Sequence, residues 1–146
     1  FNVLGRISAG LISDKIGRIN TLASACLLSI VVLYFMYISG EGDVRTFYIG
    51  ISIIGICFGS FMGVFPGFTA DQFGAKNNSV NFGIMFSGFA IAGYVGPTIM
   101  TNTLKATGSY KGAFLIGIAF SIAGLLLTFA YRSVNKKVNT ILAAQK

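Results

Sequence analysis

The sequence predicts an all-α protein that crosses a membrane several times. Hydrophobic residues make up 54% of its 146 residues and charged residues only 10%, whereas a soluble domain carries about 25% charged residues. Four stretches of 22, 25, 28 and 20 residues contain no charged side chain, and about 20 apolar residues cross a bilayer as a helix. These stretches are continuously apolar rather than alternating, which argues against barrel strands.

The four stretches predict complete helices, and the apolar residues before the first of them predict a shorter stub. We place the stub at residues 1–12 and the helices at 20–39, 46–69, 79–104 and 111–132. The stub is too short to cross a bilayer unaided. Because the chain starts with Phe1 inside an apolar stretch, we expect a piece of a longer protein whose N-terminal half is missing.

The lysines and arginines near the helix ends predict the orientation in the membrane. Arg45, Lys105 and Lys111 lie on one side, together with Glu41 and Asp43. Seven cations lie on the other side: Lys15, Arg18, Lys76, Arg132, Lys136, Lys137 and Lys146. This excess predicts a cytoplasmic C-terminus, with residues 133–146 as a basic, partly helical tail beside anionic lipid headgroups.

Several classes of function are disfavoured by the composition. The net charge of +7 does not predict a nucleic-acid partner, because the cations stand at the ends of apolar stretches and form no basic face. Cys26 and Cys57 lie within apolar stretches and are expected to be buried thiols. With no histidine, no nucleophile–base arrangement and no phosphate-binding loop, the sequence predicts no cofactor, no metal site and no enzyme activity.

A short polar motif stands between the stub and the first complete helix: Gly10-Leu11-Ile12-Ser13-Asp14-Lys15-Ile16-Gly17-Arg18. Its glycines allow a tight turn. Its charged side chains place it at the lipid–water boundary, where water and headgroups solvate them. We expect a gate in which Asp14 docks onto the free amide donors of the helix that starts near Ser79. Asp71 and Lys76 flank the equivalent loop and are expected to join it. The alternative is a plain turn whose charges only set the topology.

Small residues recur every four positions on two of the predicted helices. Small residues at this spacing let helix backbones approach closely in lipid, either for permanent packing or as a sliding surface during transport. Pro66 and Pro97 predict kinks in their helices. Such kinked helices either have a functional role in the membrane or are structurally inert. The residues concerned are Gly55, Gly59, Gly63 and Gly67 on the first helix, and Gly88, Ala92 and Gly96 on the second. Gly67 follows Pro66, and Gly93 and Gly96 precede Pro97. The neighbouring phenylalanines are interpreted as lipid or core packing rather than a substrate cage: Phe58, Phe61, Phe65 and Phe68.

Arg6 is the strongest candidate for a substrate site. It precedes Asp14 by eight residues, which places it about 12 Å deeper along a helix. A guanidinium in this position costs roughly 2.5–3.5 kcal/mol, and a carboxylate substrate offsets that cost through paired hydrogen bonds. The alternative is that Arg6 reaches back to the headgroups. Asn2, Ser87 and Tyr94 are further polar candidates, each also explained by hydrogen bonds between helices.

The polar motif follows the pattern G-x-x-x-D-[RK]-x-G-R and resembles a loop of the major facilitator superfamily of secondary transporters. Ile19 departs from it, because the family usually has another basic residue there. Residues 65–77, Asn81-Phe82-Gly83 and residues 93–97 are similar to the oxalate/formate antiporter family. With Gly5-Arg6, this resemblance covers nearly all of residues 2–97. It implies the major facilitator fold, in which this chain runs from the end of the eighth helix through the twelfth, the C-terminal part of the second six-helix bundle.

The resemblance also implies a function. It implies alternating-access transport of small organic anions such as formate, oxalate or a monocarboxylate, in a bacterial cytoplasmic membrane. Dianion carriers of the family have a lysine in the eleventh helix, where Phe89 stands here, so Arg6 alone suits a monoanion better. Two alternatives stay open: a carrier of a neutral or drug-like solute, and a membrane sensor that has lost transport.

Overall fold

The part of the chain that the structure describes folds into five α-helices. The computed structural model describes the backbone of residues 1–39 and 42–144, with side chains as far as Lys136. Glu41, Lys146 and the side chain of Lys137 therefore lie outside the described residues. The helices are α1 (Asn2–Ile16), α2 (Arg18–Ile38), α3 (Val44–Phe73), α4 (Asn78–Thr107) and α5 (Lys111–Ala144). The predicted all-α membrane fold is confirmed, since α2, α3, α4 and the Lys111–Lys136 part of α5 are long and apolar enough to span a membrane.

The helices are longer than the apolar stretches that predicted them. The stub continues to Ile16, and α5 continues to Ala144, so residues assigned to the tail extend the last helix. A helix of 30 residues, such as α3, is about 45 Å long, whereas the hydrocarbon core is about 30 Å thick. Hydropathy locates the part of a helix inside the bilayer, and the backbone ladder continues into the headgroup region.

The connection between α1 and α2 is a single residue, Gly17. Its φ of 88° lies in the left-handed region, which glycine adopts without the penalty that a Cβ atom brings. The Gly17 amide donates to the carbonyl oxygen of Ser13 at 3.0 Å and thereby closes α1. The tight turn expected within the polar motif is therefore made by one glycine, and the residues before it are helical.

The four-residue glycine stripe of α3, Gly55, Gly59, Gly63 and Gly67, faces α1 and the start of α2. A Cβ atom on Gly59 would overlap with the carbonyl oxygen of Asn2, and one on Gly63 would lie 2.7 Å from that of Arg6. From the opposite side, a Cβ atom on Gly5 would overlap with the Ile56 carbonyl oxygen. The two backbones are in direct contact, which is how helices associate where the solvent is lipid.

A small apolar core joins the first three helices, whereas α4 is loosely attached. Ala9, Leu22 and Val64 are buried together at the centre. Helix α2 also packs against α5, and within the described residues α4 packs only against α3 and α5. No residue of α4 is buried, and within the described part of the chain no atom would contact a Cβ atom on its Gly88, Gly93 or Gly96. Pro66 and Pro97 lie inside α3 and α4, both of which continue past them.

The contact between α1 and α3 predicts a selective effect of alanine at Gly59. Gly59→Ala should lower the thermal stability of the detergent-purified protein by about 1–3 kcal/mol, because the new methyl group has no space beside Asn2. Gly83→Ala is the matched control, since the space beside Gly83 is open. Equal melting temperatures for the two variants would contradict the close contact.

Candidate functional site

Arg18, the first residue of α2, is held by side chains from two other parts of the chain. Its Nε donates to Oδ2 of Asp71 at 2.7 Å, and its Nη1 donates to Oγ of Ser13 at 3.1 Å. Its Nη2 lies 3.6 Å from Oδ1 of Asp14. The Arg18 side chain is only 27% exposed, so its charge is partly withdrawn from water. We call Arg18, Ser13, Asp14, Asp71 and Gly67 the arginine clamp.

Gly67 provides the space into which the guanidinium fits. A Cβ atom on Gly67 would lie 2.5 Å from Cζ of Arg18, too close for the arginine to stay. Asp71 follows Gly67 by one helical turn, so α3 supplies both the surface on which the guanidinium lies and the carboxylate that pairs with it. Ser13 is almost fully buried. Its hydroxyl donates to the Gly10 carbonyl oxygen at 2.8 Å, which leaves its lone pairs to accept from Arg18.

Asp14 lies elsewhere than the sequence suggested. Its side chain is 68% exposed and pairs with Arg18. No side chain of the described residues caps the start of α4, where Asn77 is the N-cap residue. The guanidinium of Arg18, four residues further along the chain and across the Gly17 turn, is a full charge within 4 Å, whereas a helix end offers only about half a charge. The exposed side chains of Lys15 and Lys76 form no ion pair in the described part of the chain.

Arg6 lies on α1 and is paired with Asn2. Its Nε donates to Oδ1 of Asn2 at 3.0 Å, and its side chain is exposed. A guanidinium has five N–H donors. Among the described residues, no carboxylate lies within 4 Å of Arg6 and no side chain accepts from its Nη atoms. The terminal fork of Arg6 is therefore available to a carboxylate.

Ser87 and Tyr94 lie on α4 and are not brought to Arg6. The Ser87 hydroxyl donates to the Ile84 carbonyl oxygen at 2.6 Å, and the Tyr94 residue is 77% exposed. Helices α1 and α4 do not pack against each other in the described structure. Of the four polar candidates, the structure joins only Asn2 and Arg6.

An aromatic cavity of about 640 Å³ separates α3 from α4. Phe89, at the position where the resemblance implies a lysine in dianion carriers, lies here with its ring centroid 5.5 Å from that of Phe58 and 4.9 Å from that of Phe86. Phe61 and Phe65 also line this cavity. Phe68 instead packs against Tyr131 of α5, and the centroids of their rings are 5.4 Å apart. Three of the phenylalanines beside the glycine stripe, Phe58, Phe61 and Phe65, therefore line this cavity in addition to packing against other rings.

Three features of this region were not found from the sequence. The contact of Ser13 with Arg18, the space above Gly67 and the hydrogen bond from Arg132 Nη1 to Asn20 Oδ1 at 3.3 Å all join residues through the tertiary fold. The position of Ser13 inside the polar motif was the available signal for the first. The described residues contain no cluster of three or more histidine, cysteine or acidic side chains suited to a metal.

A sequence model of the family described as "Major Facilitator Superfamily" matches residues 1–145. The chain belongs to the major facilitator superfamily. This agrees with the polar motif, which runs from the end of α1 to the start of α2, and with four described helices that can span a membrane. This member of the superfamily is thus an integral, multi-pass membrane protein.

Two curated relatives match this facilitator chain. An "Uncharacterized MFS-type transporter YhjX" of Escherichia coli (strain K12) is 32% identical over 90 residues, 62% of this chain and 22% of the relative. An "Oxalate:formate antiporter" of Oxalobacter formigenes is 32% identical over 134 residues, 88% of this chain and 32% of the relative. The chain thus spans a third or less of either relative, and both are named as transporters rather than enzymes. No solved structure matches it significantly.

The arginine clamp predicts a small, specific coupling between Arg18 and Asp71. In a double-mutant cycle with Arg18→Gln and Asp71→Asn, the coupling to thermal stability should be about 1 kcal/mol or less, because both side chains are partly exposed. The same cycle with Asp14→Asn should give a smaller coupling, since that pair is 3.6 Å apart. A larger coupling for Asp14 would contradict this geometry.

Proposed function

We propose that this chain is the C-terminal part of a longer secondary transporter that carries small organic anions by alternating access. Membership of the superfamily and the 32% identity to a relative named "Oxalate:formate antiporter" support this proposal. The observation that carries it is the unpaired terminal fork of Arg6, on the first helix of an otherwise apolar bundle. The other partners are the lipid bilayer and the N-terminal half of the same protein.

Arg6 is proposed as the charge anchor of the substrate. Its Nε is fixed by Asn2, and its backbone is fixed against Gly63. Both contacts reduce the number of orientations that the guanidinium must give up on binding. Carboxylates accept two parallel hydrogen bonds from such a fork, so binding would offset the cost of placing a cation at this depth.

A monoanion such as formate or another small monocarboxylate is the preferred substrate. Among the described residues, the helices that surround Arg6 contribute no second cation at its level. The aromatic neighbours of Phe89 make that part of α4 apolar. A dianion such as oxalate would need a second positive charge from outside this chain.

A carrier of a neutral or drug-like solute is the second candidate. The aromatic cavity between α3 and α4 supports it, because mostly apolar pockets of about 300–1,000 Å³ are typical of small-molecule sites. A solute bound there would not depend on Arg6. A sensor that has lost transport would bind a ligand without moving it, and a transport measurement therefore distinguishes the three.

We further propose that the arginine clamp closes the motif end of the transport path, and that this end faces the cytoplasm of a bacterium. The clamp fastens α3 to the turn between α1 and α2 through contacts that all involve one guanidinium. Exposed ion pairs contribute little to stability. A contact of this size suits a gate that must open in every transport cycle.

Removing the charge of Arg6 tests the substrate proposal. In liposomes containing the full-length carrier, Arg6→Gln should lower counterflow of formate by roughly 10- to 100-fold, because the carboxylate loses a charged donor pair. Arg45→Gln, the same change at the other end of the bundle, should leave counterflow unchanged. The panel is formate, oxalate, lactate, pyruvate and a neutral sugar. Sugar uptake, or anion uptake by Arg6→Gln at the wild-type rate, would refute the Arg6 anchor.

Filling the space above Gly67 tests the gate. Gly67→Ala should lower the maximal rate of anion exchange by up to about fivefold, because the displaced Arg18 leaves Asp71. The substrate concentration at half-maximal rate should stay constant, because Gly67 contacts Arg18, whereas the backbone of Arg6 lies against Gly63, one helical turn earlier on α3. A raised half-maximal concentration with an unchanged maximal rate would assign Gly67 to binding and not to gating.

A further inference from the structure

A polar pocket and an apolar cavity meet at the motif end of the bundle. The polar pocket has a volume of about 260 Å³, and its walls include Arg18, Asn20, Asp71, Gln72 and Arg132. The apolar cavity has a volume of about 610 Å³, and its walls include Leu22, Phe61, Leu127, Ala130 and Tyr131. Ile19 and Phe68 line both spaces. The two spaces are therefore adjacent, and together we call them the α2–α5 groove.

The charge of the polar part comes from Arg132. Its Nη1 donates to the neutral amide oxygen of Asn20 at 3.3 Å, and none of the described carboxylates lies within 4 Å of it. Arg18, in contrast, is neutralised by Asp71 and Asp14. Arg132 thus presents a guanidinium that lacks an anion, beside a pocket large enough to admit one.

The position of the groove indicates how deep in the membrane its ligand lies. Arg132 is the first charged residue after the 20 uncharged residues that begin with Gly112. Cations in this position mark the level of the headgroups. The apolar part of the groove runs from there into the region of the apolar stretches. Its ligand must combine an anionic head with a long apolar tail.

We propose that the α2–α5 groove binds an anionic phospholipid. The phosphate accepts hydrogen bonds from Arg132, and an acyl chain occupies the apolar cavity beside Phe68 and Tyr131. Such a lipid contacts α2, α3 and α5 together, next to the Arg18–Asp71 pair. This proposal does not depend on the transported substrate, because Arg6 takes no part in it; Phe61 lines both the groove and the aromatic cavity.

Native mass spectrometry of the complete protein tests the proposal. The protein is released from detergent with equal amounts of dioleoyl-phosphatidylglycerol and dioleoyl-phosphatidylcholine, which share their acyl chains and differ in headgroup charge. The wild type should retain the anionic lipid preferentially. Arg132→Gln should reduce that preference about fivefold, whereas the matched variant Arg45→Gln should keep it. Ala130→Phe, which fills the apolar cavity, should reduce retention of both lipids.

Each other outcome overturns the proposal. Equal retention of the two lipids by the wild type, or equal losses in Arg132→Gln and Arg45→Gln, would remove the role of Arg132. Unchanged retention in Ala130→Phe would show that another part of the protein fills the cavity. Displacement of phosphatidylglycerol by millimolar glycerol phosphate would identify a soluble phosphate as the ligand. Equal melting temperatures of the variants confirm that folding does not cause the differences.

Discussion

The direct contact between the backbones of α1 and α3 sets the positions of the other functional elements. The stripe on α3 repeats every four residues, which is about 6 Å along the axis. Two of its positions accept the backbone of α1 at Asn2 and Arg6, and the last accepts the guanidinium of Arg18. One repeat of small residues therefore fixes the height of the proposed anion anchor and holds the arginine clamp. A larger side chain at Gly59 or Gly63 would push the backbone of α1 away, and one at Gly67 would displace the guanidinium of Arg18.

Much of this architecture could be predicted from residue types alone. Charge-free stretches located the spanning helices, and the spacing of the glycines identified the face of α3 that meets another helix. The sequence does not show which group occupies that face. Gly67 was interpreted as a site of helix packing, yet the atoms nearest to the space above it belong to the guanidinium of Arg18. The spacing of the glycines could not show this, because Arg18 lies 49 residues before Gly67 in the sequence.

The charged residues were harder to pair because their partners are far apart in sequence. Arg18 and Asp71 are 53 residues apart, and four acidic and eleven basic residues allow many pairings. Asp14 was expected at the start of α4, where its charge would meet a helix dipole. The fold instead places the full positive charge of Arg18 beside it, four residues further along the chain and across the Gly17 turn. Nearby full charges outweigh partial ones, but only a three-dimensional arrangement shows which are near.

The single-residue connection at Gly17 contrasts with the connection between α3 and α4, which has four residues, 74–77. A connection of one residue has almost no free length, so a tilt of α1 is transmitted directly to α2 and, through their packing, to α5. Helix α4 has no buried residue and a longer tether, so among the described helices it is the one that this bundle constrains least.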